Sequence, residues 1–257
     1  MITHKIFREK LLFYLKQNFY HELDYFIPIK SGYVASLLQK DSYDSFSEIF
    51  IKREYDEFIP DVLISRIIDI GAHYGYFSLW LQSENPQIEL QSLLIEASPI
   101  CTVSLNQLCN NKKLFGKFRF LSGAIGKPDQ NYAEFYDREY MAGSTLPTSR
   151  DESTISVKII QEDELLKEYE PPYSLIKCDI EGSEWQFLNH YQNLINSSEY
   201  LLLEWHSWHT GGGGLNQIKT KLNDLGFDIE RISHLQNAVG RDGTVGLILA
   251  KNKKVHS

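Results

Sequence analysis

The chain has 257 residues, 42% of them hydrophobic and 13% aromatic, enough apolar matter for one sizeable core. Its formal net charge of −8, from 26 Lys plus Arg against 34 Asp plus Glu, argues against a broad phosphate-tracking surface and so against nucleic acid as a partner. The three cysteines, Cys101, Cys109 and Cys178, show no C-x-x-C spacing and suit a reducing, cytoplasmic setting, and the absence of a run of about 18 apolar residues argues against stable membrane insertion.

The opening "MITHKIFREKLLFYLKQNFY" reads as an amphipathic helix, with Ile6, Phe7, Leu11, Leu12 and Leu15 at helical spacing and charges that separate it from a signal peptide. Residues 1–60 are expected as an N-terminal helical cap segment, and 61–257 as the main domain. "RIIDIG" (66–71) predicts a buried strand, and "YGYFSLWLQS" (74–83) the helix after it. "LQSLLIEA" (90–97) and "ICTVSLNQLCNN" (100–111) repeat the pattern, and "KFRFLSGAIG" (117–126) is a third strand ending in small residues. This alternation implies βαβ units and a parallel sheet.

Residues 127–160 break the rhythm. "NYAEFYDREY" and "TISVKIIQ" both read as strands around a polar loop, so an inserted hairpin or flap is expected, with Gly143, Ser144 and Thr145 able to reach back to a ligand. "EDELLKEY" predicts a short helix stopped by Pro171-Pro172. "SLIKC" is a fourth strand with "SEWQFLNHYQNLI" as its helix, and "EYLLLEW" (199–205) a fifth. Gly211 to Gly214 is a connection into "LNQIKTKLNDL", which Gly226 closes. "FDIERIS" and "GTVGLILAK" predict an antiparallel hairpin at the end of the sheet, with Asp242-Gly243 in the turn-rich stretch between them.

Ligands of open α/β sheets bind at the C-terminal ends of strands, near the switch in strand order. The first strand ends in Asp69-Ile70-Gly71-Ala72-His73-Tyr74-Gly75, where glycine permits a tight turn and the next helix offers free N–H groups. The second ends in Glu96-Ala97, at the distance from Gly71 at which a carboxylate holds ribose hydroxyls. Gly123-Ala124 after the third strand suits the edge of an adenine pocket. An acidic loop crowded by His73 and Tyr74 is unwelcome to a diphosphate. A cationic amino-acid tail beside Asp69 fits better, which favours S-adenosyl-L-methionine over a dinucleotide.

Four stretches together, "IIDIGAHYGYFSLWL", "LLIEASP", "SLIKCDIEGSEWQFL" and "LLLEWH", resemble the FkbM-type S-adenosylmethionine-dependent methyltransferases. The most specific piece is Lys177-x-Asp179-x-Glu181-Gly182-x-Glu184, and one departure is His73 where asparagine is common. The resemblance implies a Rossmann-like class I methyltransferase fold: α/β, a mostly parallel seven-stranded sheet, an antiparallel terminal hairpin and helices on both faces. It also implies methyl transfer, usually to a hydroxyl of a carbohydrate or natural-product acceptor.

On this reading Asp179 lies beside the sulfonium and the acceptor, with Glu181 sharing the task or pinning the loop. Glu184 sits where a negative charge favours a helix start, and Lys177 pairs with one of these carboxylates. "EWHSWH" supplies His206 and His209; His206 is the expected general base, with Glu204 as its orienting partner. Trp205 and Trp208 either stack on an acceptor or fill core. A divalent metal held by Asp179, Glu204 and His206 is an open alternative. Rival readings are an NAD-dependent oxidoreductase and a non-catalytic binding domain. Oligomeric state has no signature in the pattern.

Overall fold

The structure is a computed structural model and describes residues 11, 13–19, 25–29, 33–37, 40–138, 143–146, 154–208, 214–237 and 243–254. His209, Gly211 to Gly213, Asp242, most of the first twenty residues and most of the loop between the two inserted strands lie outside these.

Residues 13–19 are helical. An antiparallel pair follows, β1 (Tyr25–Pro28) with β2 (Val34–Leu37), then helix α1 (Lys40–Phe46), a π-helical segment Ser47–Lys52 and a 3-10 turn Asp56–Phe58. The main sheet begins with β3 (Arg66–Ile70), followed by α2 (Tyr76–Glu84), β4 (Gln91–Glu96), α3 (Thr102–Cys109) and β5 (Lys117–Ser122). The inserted strands are β6 (Tyr132–Phe135) and β7 (Ile155–Lys158). After them come α4 (Glu162–Glu168), β8 (Tyr173–Cys178), α5 (Glu184–His190), α6 (Gln192–Asn196) and β9 (Ser198–His206). The chain closes with α7 (Leu215–Leu225), β10 (Phe227–Ile232), the two-residue β11 (Gln236–Asn237) and β12 (Thr244–Asn252).

The sheet runs β10-β12-β9-β8-β3-β4-β5, with β11 beside β12. Strands β3, β4, β5, β8 and β9 are parallel, while β12 is antiparallel to β9 and to β10. This is the mostly parallel seven-stranded sheet expected, with its antiparallel end, and with the two-residue β11 added. The chain moves outward from β3 to β5 and then returns to β8 on the other side of β3. The switch in strand order therefore lies between β3 and β8.

Alternation along the strands sorts two cores. Ile67, Leu94, Leu175, Leu202 and Leu249 face α2 and the N-terminal segment. Ile68, Leu93, Ile176, Leu201 and Ile248 face α5, α6 and α7. Each such fully buried side chain contributes about 1.5–3 kcal/mol relative to exposure.

Helix α2 is buried from Tyr76 to Ser83, which explains its apolar residues on every side. The N-terminal segment covers it. The Tyr76 hydroxyl donates to Ser36 O at 3.0 Å, Phe46 meets the Tyr76 ring edge-on, and Tyr55 does the same to Phe77. Phe13, from the first helical stretch, packs on Tyr43 and Phe46.

The helix expected across 183–195 is broken at Tyr191. Its hydroxyl donates to Ile160 O at 2.7 Å and accepts from Gly126 N at 3.2 Å. That anchor ties the break in the helix to both ends of the insertion.

Candidate active site

Gly71 turns the chain where β3 ends. Its φ is +72°, and a Cβ there would stand 1.7 Å from the carbonyl oxygen of Asp179. Only glycine lets the two loops at the strand switch touch. Lys177 Nζ donates to Gly71 O at 2.9 Å, and Asp179 N donates to Ile70 O at 3.0 Å, so the loops are sewn together.

Glu96 clasps the same turn from β4. His73 N donates to its Oε2 and Ser98 N to its Oε1, both at 2.7 Å. Burial raises the Glu96 pKa while these backbone donors lower it, with burial prevailing. His73 has φ 50°, meets the Tyr74 ring edge-on, and buries an Nδ1 that has no hydrogen-bond partner. Burial, aided by Lys177, lowers its pKa to about 3, so its ring is neutral.

Two expected cofactor residues do not reach the cleft. Asp69 is fully buried on the α2 face, the face of Ile67, because side chains alternate along β3. Ser78 Oγ donates to it at 2.9 Å, and Lys177 Nζ stands 3.4 Å away. It therefore holds Lys177 from behind. Gly75 serves packing: a Cβ there would come within 2.6 Å of Leu108 at the α2–α3 contact. The other expected cofactor residues, Gly71, Ala72, His73, Glu96, Ala97, Gly123, Ala124, Asp179 and Glu181, all line one cavity of about 330 Å³ at the C-terminal ends of the strands.

Opposite them stand the ends of β8 and β9. Lys177 lies 3.4 Å from both Asp69 and Asp179. Burial disfavours its ammonium, but Asp179 and Asp69 outweigh this and raise its pKa above the ordinary lysine value.

His206 is the last residue of β9 and 2% exposed. Its Nδ1 is 2.9 Å from Glu184 Oε1, while Nε2 is 3.9 Å from carboxylate oxygens of Asp179, Glu181 and Glu204. Burial opposes its charge, but Glu184 and Glu181 prevail and raise the pKa to about 10. With carboxylates facing both ring nitrogens the imidazolium is favoured, which weighs against the free general base expected of His206. The residue that orients it is Glu184, not Glu204.

Glu204 instead accepts from the Tyr55 hydroxyl at 2.9 Å. Burial and the neighbouring Asp179 push its pKa up to about 8. Tyr55 sits 149 positions away in the chain, and no local pattern marks it as a site residue. Asp41, Ser45 and Glu48 of the same N-terminal segment also line the cavity.

From the insertion, Ser144 is 1% exposed and its Oγ donates to Glu181 O at 2.8 Å, while Thr145 Oγ1 and Ser183 Oγ are 2.8 Å apart. The insertion does reach back to the cleft. Trp205 fills core, whereas Trp208 lines the cavity, its ring 4.6 Å from that of His206.

The arrangement suits a cationic nucleoside ligand: a glycine turn, a strand-end carboxylate beside it, small residues at Gly123-Ala124 and acidic groups opposite. The model of the methyltransferase FkbM domain matches residues 69–229. A methyltransferase FkbM from Methylobacillus flagellatus KT is 16% identical over 82% of this chain and 51% of its own, with a TM-score of 0.51. This chain thus spans about half the length of that protein.

The magnesium protoporphyrin IX methyltransferase of Synechocystis PCC 6803 is 12% identical over 95% of this chain and 96% of its own, at a TM-score of 0.48. TrmK of M. capricolum, solved with S-adenosyl-homocysteine, is 11% identical over 80% and 69%, at 0.46. No curated protein matches the sequence significantly. At 16% identity the Methylobacillus structure speaks for the fold alone, and the domain match speaks for the lineage: the chain belongs to the FkbM family of S-adenosylmethionine-dependent methyltransferases.

Proposed function

We propose that the protein transfers a methyl group from S-adenosylmethionine to a hydroxyl oxygen of a small polar acceptor of the carbohydrate, glycoside or natural-product kind. The observation that carries this is one cleft at the β3/β8 switch that joins a nucleoside-shaped half at Gly71–His73 and Glu96 to an acidic half at Asp179, Glu181 and Glu204. The family assignment replaces the nicotinamide reading. Among the described residues, eight carboxylate side chains and three lysine or arginine side chains line the cavity, which favours a neutral or cationic acceptor over a phosphate-rich one.

Bound here, S-adenosylmethionine supplies an electrophilic methyl group on a sulfonium. Glu96 spends one lone pair of each oxygen on a backbone N–H and keeps the others for ribose hydroxyls. Gly123 and Ala124 let the adenine approach the backbone. Asp179 faces the cationic part of the cofactor. Glu204, steadied by Tyr55, accepts the acceptor hydroxyl's proton. Alignment of that oxygen with the methyl group provides much of the rate.

Residues 1–60 act as a cap that supplies the acceptor wall, and 127–160 as a flap that secures the acidic loop. Among the described residues no helix is long and apolar enough to cross a membrane.

Calorimetric titration with S-adenosylhomocysteine, with NAD as control, tests the cofactor. Micromolar binding that Glu96→Ala removes from a folded protein supports the reading. A methyl-transfer screen over sugars, glycosides and amines then tests the acceptor, and exclusive transfer to nitrogen would sink the hydroxyl assignment.

A further inference from the structure

Ligand atoms of Asp179, Glu181 and His206 all lie within 4.8 Å of one another. The imidazole is buried, one nitrogen is anchored on Glu184, and the other faces three carboxylate oxygens at an equal 3.9 Å. That distance is beyond hydrogen-bond reach. A buried structural ion pair closes to contact, as Glu184 and His206 do; here the oxygens stand back around a common centre. Carboxylate anchoring of one ring nitrogen, leaving the other to point inward, is the arrangement that fixes a metal-ligating histidine.

We propose that Asp179, Glu181 and His206 form a divalent-cation site of the Mg²⁺ or Mn²⁺ type, which binds the acceptor's hydroxyl oxygen beside the methyl donor. Two carboxylates select a hard cation, and a single imidazole is compatible with Mn²⁺. Adjacent ligands around such an octahedral ion are about 3 Å apart, so the carboxylate oxygens, now 3.9 Å from the ring nitrogen, would draw in by about 1 Å on binding.

The site is built in advance. Glu184 Oε1 accepts from Gly182 N at 3.0 Å and Ile180 N at 3.3 Å as well as facing His206. One carboxylate thus sets both the ligand loop and the ligand ring. Lys177 occupies Asp179 Oδ2 and leaves Oδ1 toward His206. Glu204 stays on Tyr55, close enough to take a proton.

Ion binding releases the Nε2 proton to solvent. In the transfer, the hydroxyl proton passes to Glu204, the oxygen–methyl bond forms, the sulfur–methyl bond breaks with its electrons on sulfur, and the ion is unchanged. The role in catalysis rests on the methyl-transfer reading; the binding of the ion does not.

The test uses the full chain freed of metal by chelation. Mn²⁺ is titrated in and followed by the paramagnetic resonance of the free ion, and S-adenosylhomocysteine is titrated into the same preparation. The expected result is one saturable Mn²⁺ per chain, competed by Mg²⁺, and weakened about tenfold or more in both Asp179→Asn and Glu181→Gln. Both variants should keep a cooperative melting transition, Asp179→Asn at a lower midpoint because it takes a counter-charge from Lys177, and Glu164→Gln, far from the site, should bind as the parent does.

Absence of saturable Mn²⁺ uptake while S-adenosylhomocysteine binds would overturn the ion site and leave the methyltransferase reading standing. Uptake that persists in both variants would also overturn it. Uptake without S-adenosylhomocysteine binding would support the site and remove its catalytic role.

Discussion

Glu184 Oε1 lies 2.9 Å from His206 Nδ1, joining the first residue of α5 to the last residue of β9. The same oxygen accepts from two backbone N–H groups of the acidic loop. A helix-start charge has therefore become the support of the cleft.

Truncation of that support should be costly. Glu184→Ala leaves a buried imidazolium and two backbone donors without their partner, and is expected to lose about 3–5 kcal/mol of stability. Glu184→Gln keeps an acceptor oxygen and should lose less. Denaturant unfolding at neutral pH measures both, and an Ala variant as stable as the parent would remove Glu184 from this role.

Glu96 and Asp69 should separate cleanly. Glu96→Ala removes the carboxylate from the nucleoside half of the cleft and should weaken S-adenosylhomocysteine binding about ten- to hundredfold. Asp69→Ala leaves buried Lys177 with one counter-charge fewer. Its effect should appear as a lowered unfolding midpoint, with affinity of the folded protein within about threefold of the parent. Calorimetry and thermal melting on the same samples decide, and a large affinity loss in folded Asp69→Ala would return that residue to the cleft.

Tyr55→Phe removes one hydroxyl and leaves Glu204 without its donor. The expected outcome is methyl transfer about tenfold slower at saturating cofactor, with S-adenosylhomocysteine affinity unchanged. Initial rates on whichever acceptor the screen identifies test this. Unaltered turnover would make Tyr55 merely a packing residue.

His73 should shape the acid limb of stability. Its folded pKa is lowered to about 3, by burial first and then Lys177, against 6.5 for the ordinary imidazole. Between these values the unfolded chain binds more protons, so stability rises with pH there. The contribution is fully present above about 6.5 and is lost as pH falls toward 3. His73→Asn, which the left-handed backbone at φ 50° accepts, should flatten the decline between pH 6.5 and 4. A melting-temperature profile that is parallel in the two proteins would contradict this.

Much of the cleft was legible because its parts are local. Gly71 after an apolar strand, Glu96 at the end of the next, and Gly123-Ala124 after the third are read from position along a βαβ pattern, and all of them line the cavity. Asp69 shares that loop's sequence but not its face; the alternation that aligns it with Ile67 turns it under α2. His206 is marked in the sequence by its place at a strand end, but its protonation depends on Glu184, Glu181 and Asp179, and their distances have no counterpart in spacing along the chain.

By itself the sequence determined the strand and helix order, the parallel sheet with its antiparallel end and the acidic character of the strand termini. Hydrophobic period and glycine placement are properties of neighbouring residues, so these features follow from short stretches. Only the tertiary structure decided which carboxylate meets which partner. Tyr55 meets Glu204 across 149 positions, Ser144 meets Glu181 across 37, and Lys177 reaches Gly71 across 106. Side-chain charge state and ligand geometry depend on burial and on distances of a few ångströms, and those exist only once the two faces of the sheet have been packed.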